Sequence, residues 1–527
     1  MADQRDHFFS SARIVAVVNL GSRVFGLARD VVCASIFGLT DVWGAFTFAF
    51  RIPNLLRSLL GEGALNASFI PTFTRYLTAH SHEEARGMFR ATLTWLIAVM
   101  VVVVIAGELA IFGFTRLPFS EGTQLALRMT AILAPYALII CVTALVTGVL
   151  QSLGSFGPGE FSPIVMNIFW IAAAFAAASS SLPMEKKIYF LPIGIILGTA
   201  AAVLMLWRYL ARHKMGVLPA VRLEKNEGLS EVRRNMAPVI AGLAVLQVNV
   251  LCDDIIARAF ISGAANGTLY YANRLYQLPL AVFGLPVAVA VFPALGRLAA
   301  QGRHGELIDT MSRAMAAVFF MCAPAAVGII VLNKPIVSLI FQHGAFGRDD
   351  VALVGATTAA YALGLWAYSA NHLLTRASYS QGDMRNPLKF SLINVGANLT
   401  MNLILVVPLR EPGLALATAI SSSLRFVIHS RLIFSKSGGW RAQKALIASA
   451  GRTLIGCALL AVVVYAVARI LEPAEPRKIA VAIQVAAACL AGGGAYLVYA
   501  LLVKAPEIYD VLPARFRKVV DSPGPAA

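Results

Sequence analysis

Nine arginines stand inside stretches otherwise apolar enough to cross a bilayer: Arg13, Arg23, Arg29, Arg51, Arg57, Arg128, Arg258, Arg274 and Arg425. A guanidinium stays charged, and placing one in hydrocarbon costs at least roughly 2.5–3.5 kcal/mol. Each therefore needs water, an acid or an anion beside it. Arg13, Arg57, Arg128 and Arg258 fall near expected helix ends, where long side chains reach back to water. Arg23, Arg29, Arg51 and Arg274 fall deeper. The carboxylates in or near the same stretches are Asp30, Asp41, Glu62, Asp253 and Asp254. These five acids are fewer than the nine arginines. Surplus guanidinium beside a water-filled gap makes an anion site, and its forked N–H groups match phosphate oxygens two at a time. The chemistry expected is capture of a large, phosphate-bearing anion; the plainer alternative is that the arginines clamp helices together.

Spacing refines this. Arg23 and Arg29 lie six residues apart, about 600° of helical turn, so a straight helix splays them by about 120°. Gly26 between them permits a bend that would bring both toward one cavity. Arg23 and Asp30 share a face seven residues apart, which permits an ion pair. Arg51 precedes Pro53, and an interrupted helix favours irregular backbone lining a cavity. Asn54, Arg57, Glu62 and Asn66 continue a polar stripe there. Arg274 follows Tyr270, Tyr271 and Asn273. A second group is rich in oxygen: Gln247, Asn249, Asp253 and Asp254; Asn394, Asn398 and Asn402 at i, i+4 and i+8; and Thr418. Such groups can hold Na⁺ or accept a proton, or simply hydrogen-bond between helices.

The elements that must position these residues are helices. Of 527 residues, 58% are hydrophobic and 13% charged, with mean hydropathy +0.73. A soluble domain carries about 25% charged residues, so a soluble enzyme, a coiled coil and a disordered chain are excluded. Fourteen stretches reach the ~20 apolar residues a spanning helix needs. They cover roughly 12–37, 44–73, 88–113, 123–152, 160–180, 188–210, 234–262, 266–295, 308–332, 350–381, 387–409, 412–434, 448–470 and 478–504. With the N-terminus inside, 26 of the 44 Lys and Arg fall in inside segments and 9 in outside loops. That bias places both termini in the cytoplasm. It also accounts for the net charge of +17 without nucleic acid. The polar N-terminus lacks the pattern of a removable signal peptide. The six cysteines are scattered through apolar stretches, which argues against a metal cluster or a disulfide framework.

Two patterns recur about 225 residues apart. Arg51 and Arg274 each precede a closing proline, Pro71 and Pro293. Gln151-Ser152-Leu153-Gly154 with Pro158 and Asn167 is echoed by Ser380-Gln381-Gly382 with Pro387 and Asn394. Duplicated halves put a substrate route at their interface near the bilayer midplane. The expected organisation is an N-lobe over 1–213, a cytoplasmic linker over 214–233, a C-lobe over 234–436, and a trailing helix pair with a cytoplasmic tail over 437–527. No nucleotide loop, metalloprotease motif or nucleophile elbow occurs. The chain reads as a transporter, not an enzyme, driven by an ion gradient, the membrane potential or its substrate's gradient. His343, in Phe341-Gln342-His343-Gly344-Ala345-Phe346, is read as structural.

At these residues the chain resembles the MurJ (MviN) family of lipid II flippases, within the superfamily of multidrug, oligosaccharidyl-lipid and polysaccharide exporters. The likeness runs through Gly21-Ser22-Arg23-Val24-Phe25-Gly26-Leu27-Ala28-Arg29-Asp30, Phe50-Arg51-Ile52-Pro53-Asn54-Leu55-Leu56-Arg57 and Gly61-Glu62-Gly63-Ala64. It continues through Tyr271-Ala272-Asn273-Arg274-Leu275, Ala377-Ser378-Tyr379-Ser380-Gln381-Gly382-Asp383 and Gly413-Leu414-Ala415-Leu416-Ala417-Thr418. The resemblance implies an all-α polytopic protein of 14 transmembrane helices, with two pseudo-symmetric six-helix lobes in an inverted V plus a C-terminal helix pair. It implies that Arg23, Arg29, Arg51 or Arg57, and Arg274 bind the lipid-linked pyrophosphate. Asp30 would hold Arg29 or gate the lobes, with Glu62 a further gating or pairing acid. The trailing pair would cradle the undecaprenyl tail, and Asp254, Asn394, Asn398 and Thr418 would form an ion site. No bound cofactor is implied beyond Na⁺ or H⁺ as coupling ion.

Two departures stand out. Gly44-Ala45-Phe46 occurs where the family often has Asp-Ala-Phe, and Tyr276-Gln277 where many relatives carry an acid. Arg425 is also unexpected. The reading overall is a monomeric, multi-pass protein of the bacterial cytoplasmic membrane. By alternating access it would move lipid II among membrane lipids from inner to outer leaflet. The rivals are a flippase for another undecaprenyl-pyrophosphate-linked oligosaccharide, a MATE-like ion-coupled exporter, and a membrane glycosyltransferase acting on the same lipid.

Overall fold

A computed structural model describes residues 2–220, 226–436, 440–474 and 477–511. Side chains are described from Val18 onward, except at 19, 20, 62, 246, 436, 440 and 509–511. Arg13 and Glu62 therefore lie outside the described side chains.

Among the described residues every regular element is helical. The first stretch comprises α1 (Ala2–Phe37), α2 (Asp41–Leu56), α3 (Asn66–Ala79), α4 (His82–Phe114), α5 (Glu121–Ser152), α6 (Gly157–Ser179), α7 (Met184–Lys187), α8 (Phe190–Arg212) and α9 (Glu227–Phe260). The second comprises α10 (Ala265–Pro279), α11 (Leu285–Ala300), α12 (His304–Val331), α13 (Asn333–Phe341), α14 (Arg348–Ala362), α15 (Leu365–Ser380), α16 (Arg385–Lys436), α17 (Trp440–Ile470), α18 (Lys478–Leu502) and α19 (Pro506–Val511). Among the described residues, eleven helices are long and apolar enough to cross a membrane. The expected spans over 12–37 and 44–73 are not among them, and the expected eleventh and twelfth fall in one helix, Arg385–Ser435. That helix turns sharply at Arg410, where φ is 52° and ψ −130°. The short helices α7, α13 and α19 carry too few residues to announce themselves by periodicity.

Local chemistry sets several boundaries. Ser81 and Glu84 form a reciprocal cap on α4, with Glu84 N donating to Ser81 Oγ at 3.3 Å and Ser81 N to Glu84 Oε2 at 2.9 Å. Thr40 caps α2 by accepting from Trp43 N at 3.3 Å. Pro53 does not end its helix. The interruption comes four residues later, as a π-helical segment over Arg57–Leu65 that joins α2 to α3. Each π turn holds an extra residue. The close approach it creates requires Gly63, where a Cβ would stand 2.4 Å from Ser58 O. The second occurrence of the pattern behaves alike, for Pro279 is followed by a π segment over Leu280–Gly284 that leads into α11.

Two compact units emerge. The first holds residues 1–258, 262–267 and 343–347, and the second the remainder. By its contacts α9, up to Arg258, groups with the first unit. The first unit's core includes Leu65, Phe69, Phe73, Met88, Phe89 and Val149, all fully buried. The second packs Met311, Leu373 and Leu374 in one cluster and Leu460, Val464 and Tyr496 in another. Leu204, Leu490 and Ile483 remain more than half exposed, as lipid-facing positions should. Residues 343–347 fold against the end of α1, with Ala345 N donating to Ser35 O at 2.8 Å.

Candidate functional site

Arg29 sits on the inner face of α1, 3% exposed. Its Nε and Nη2 both donate to Asp30 Oδ1, at 3.0 and 2.7 Å, and its Nη1 donates to Asn167 Oδ1 at 3.0 Å. The guanidinium lies 4.0 Å from the ring centre of Trp170. Phe46 and Phe50 in turn meet Trp170 edge-on at 5.5 and 5.0 Å. An aromatic floor under a guanidinium whose edge is hydrogen-bonded is a stable way to hold buried charge. Asp30 thus holds Arg29, one of its two expected roles.

Arg23 is exposed and has no acid partner among the described residues. Helix α1 runs unbroken through Gly26. The Arg23–Asp30 pair does not form, because Asp30 is turned to Arg29.

Arg51 projects from α2, 28% exposed by side chain, and its Nε donates to Asp254 Oδ2 at 2.6 Å. Asp254 is 3% exposed and also accepts from Asn266, whose Nδ2 reaches Asp254 O at 2.8 Å and Oδ1 at 3.3 Å. Two turns on, Arg57 lines a cavity of about 250 Å³ with Asn66, Thr143, Gln151, Glu160 and Thr199. Arg258 donates to Thr123 Oγ1 at 3.2 Å.

In the second unit Arg274 stacks on Tyr270, 5.3 Å from its centroid, and donates to the same hydroxyl at 3.4 Å. The asparagine stripe is realised. Asn402 Nδ2 donates to Asn398 Oδ1 at 3.1 Å, Asn398 Nδ2 to Thr418 Oγ1 at 3.3 Å, and Thr418 Oγ1 to Leu414 O at 3.1 Å. Asn394 Oδ1, one turn before, is buried without a hydrogen-bond partner. Asn394, Asn398 and Thr418 belong to the second unit, whereas Asp254 groups with the first and carries Arg51. Neutral oxygens of this kind suit a monovalent cation, and the carboxylate expected to complete the set has a guanidinium on it here.

Sequence reasoning noticed Asn167 only as a repeat marker, and Trp170 and Asn266 not at all. A tryptophan in an apolar helix looks like any core residue until a cation lies over it.

A family model described as lipid II flippase MurJ matches residues 33–475. The chain belongs to the lipid II flippase MurJ family. A probable lipid II flippase MurJ of Vibrio cholerae serotype O1 is 31% identical over 432 residues, covering 79% of this chain and 81% of the relative. The lipid II flippase MurJ of Burkholderia cenocepacia is 28% identical over 450 residues, covering 82% and 86%. Among solved structures, a MurJ in an inward closed conformation aligns with TM-score 0.72 at 21% identity, covering 96% of this chain and 99% of that one. An inward-facing MATE multidrug transporter aligns at 0.65 and 14% identity, covering 80% and 98%. The two likenesses establish a shared helical fold. The family is one of membrane transporters rather than enzymes.

Proposed function

We propose that this protein carries lipid II across the bacterial cytoplasmic membrane, from inner to outer leaflet, by alternating access. Membership of the family is the observation that carries the reading. The chemistry agrees with it, since Arg23 stands exposed on α1 with no acid beside it among the described residues. Exposed guanidinium attracts pyrophosphate and repels the cationic drugs a MATE-like exporter would favour. Arg51, Arg57 and Arg274 supply further donors, and Arg29 with Asp30 fixes the helix that presents Arg23.

Fourteen spans follow if α1, the α2–π–α3 helix and the two halves of α16 on either side of Arg410 each cross once. Two six-helix lobes over 1–213 and 234–436, joined by the linker 214–233 and followed by the trailing pair in 437–527, then leave both termini in the cytoplasm. The protein acts as a monomer. Na⁺ or H⁺ couples transport through Asn394, Asn398 and Thr418, supported by their chain of neutral oxygens, with Asp254 a further candidate acid. Glu62 is the further gating acid.

Binding decides the matter. The purified protein should bind lipid II more tightly than a neutral polyprenol, and Arg23→Ala or Arg274→Ala should weaken lipid II alone. Equal binding of both lipids would end the anion-site reading. Tighter binding of another undecaprenyl-pyrophosphate-linked oligosaccharide would transfer the role to that cargo.

A further inference from the structure

Arg425 is one of the intramembrane arginines that the transport site does not use. It lies in the second half of α16, and its Nη2 donates to Thr375 Oγ1 of α15 at 3.0 Å. Its Nε is buried with no hydrogen-bond partner. The contact with Thr375 brings two faces together. On α15, His372 and Arg376 are one turn apart; on α16, Arg425 and His429 are one turn apart. Exposed His372 has both Arg425 and Arg376 as its charged neighbours. Arg376 lies 5.7 Å from the centroid of Phe292, which serves its flat face and leaves the N–H edge. His429 is fully buried, with Nε2 on Ser378 Oγ at 2.9 Å, Phe390 packed at 4.7 Å, and Nδ1 without a partner. The acid near this group is Asp383, a charged neighbour of His429 whose Oδ1 accepts from Asn386 N at 3.0 Å and Oδ2 from Asn386 Nδ2 at 2.5 Å. The phenol of Tyr379 also faces Arg425. Neither Arg376 nor Arg425 has a carboxylate partner among the described residues.

Two arginines and an exposed histidine grouped without a paired carboxylate are costly in a membrane helix. A clamp between α15 and α16 would occupy the buried Nε of Arg425. An anion with several acceptor oxygens would satisfy that atom and the free edge of Arg376 together. We propose that Arg376, Arg425 and His372 form a phosphoanion site within the second unit, taking a phosphate or pyrophosphate group borne by a lipid or free in solution. The site uses none of the residues assigned to the transport arginines, and it stands whether or not lipid II is the cargo.

The test is arginine modification by phenylglyoxal on the full chain in phosphatidylcholine nanodiscs, read by peptide mass spectrometry. Farnesyl pyrophosphate, inorganic pyrophosphate and farnesol are the probes. Farnesyl pyrophosphate should slow modification of Arg376 and Arg425 several-fold, and farnesol should not. Slowing by the lipid form alone assigns the site to a headgroup; slowing by both assigns it to soluble phosphoanions as well. Arg425→Gln should abolish protection of Arg376, and Arg425→Lys should keep part of it. Unchanged modification of the wild-type chain with both pyrophosphates, or equal slowing by farnesol, overturns the proposal and leaves a helix clamp. Should lipid II still bind in that case, the transport reading survives and only this site is lost.

Discussion

Arg51 and Asp254 stand 203 residues apart in the chain and meet at 2.6 Å. This one pair ties α2 to α9, and it joins a residue expected to bind an anion to one expected to bind a cation. Each currently satisfies the other.

Asp254→Asn should lower stability by about 1–3 kcal/mol, less than the roughly 3–5 kcal/mol for breaking a fully buried pair, because Arg51 is partly solvated. Thermal unfolding of the detergent-solubilised protein measures this. Arg51→Gln with Asp254→Asn should cost less than the two single changes summed, by about 0.5–3 kcal/mol of coupling. Strict additivity would mean that the contact contributes nothing.

Arg29→Lys should damage the protein despite keeping the charge. An ammonium cannot serve Asp30 and Asn167 along one planar edge while stacking on Trp170. Loss of about 1–3 kcal/mol is expected in thermal unfolding, consistent with removing charged hydrogen bonds from buried partners. Arg23→Ala should leave the same unfolding curve unmoved. If Arg23→Ala unfolds the protein as readily as Arg29→Lys, the division of labour on α1 is wrong.

Gly44→Ala should be poorly tolerated, because a Cβ there would lie 1.8 Å from Gly263 O. Backbone must move, at a cost of about 1–3 kcal/mol. Gly87→Ala in α4 is the control, since a Cβ there meets nothing within 4 Å; it should be neutral or slightly stabilising. Expression level and melting temperature of the two variants separate these outcomes.

Asn398→Leu removes the middle of the chain running from Asn402 to Thr418, leaving an amide and a hydroxyl short of a partner. Destabilisation of about 1–3 kcal/mol is expected, together with loss of any Na⁺ dependence of transport in proteoliposomes. Ion-dependent transport that persists in a folded variant would retire the coupling role of these oxygens.

Much of the fold was legible because hydrocarbon demands long apolar helices, and such stretches are visible one by one. The two helices carrying Arg51 and Arg274 were marked by their prolines, yet the irregular backbone falls after those prolines. Widened turns depend on glycines and close packing that periodicity does not report. The arginines were legible as anomalies; their partners were not. Asp30 was nearby in sequence and could be named, whereas Asn167 and Trp170 reach Arg29 from α6, and Asn266 reaches Asp254 from α10. Which of two acids faces an arginine is decided by helix phase, and one residue of phase error reverses the answer.

The π segment in the second membrane stretch has its own consequence. Each inserted residue sets the side chains beyond it back by about 100° relative to the straight-helix count, so the widened turns change the splay of about 120° that regular winding would give Asn54 and Asn66 across twelve residues. Moving the widened turn along the rod would re-aim the side chains it passes while leaving both ends in place and the backbone ladder unbroken.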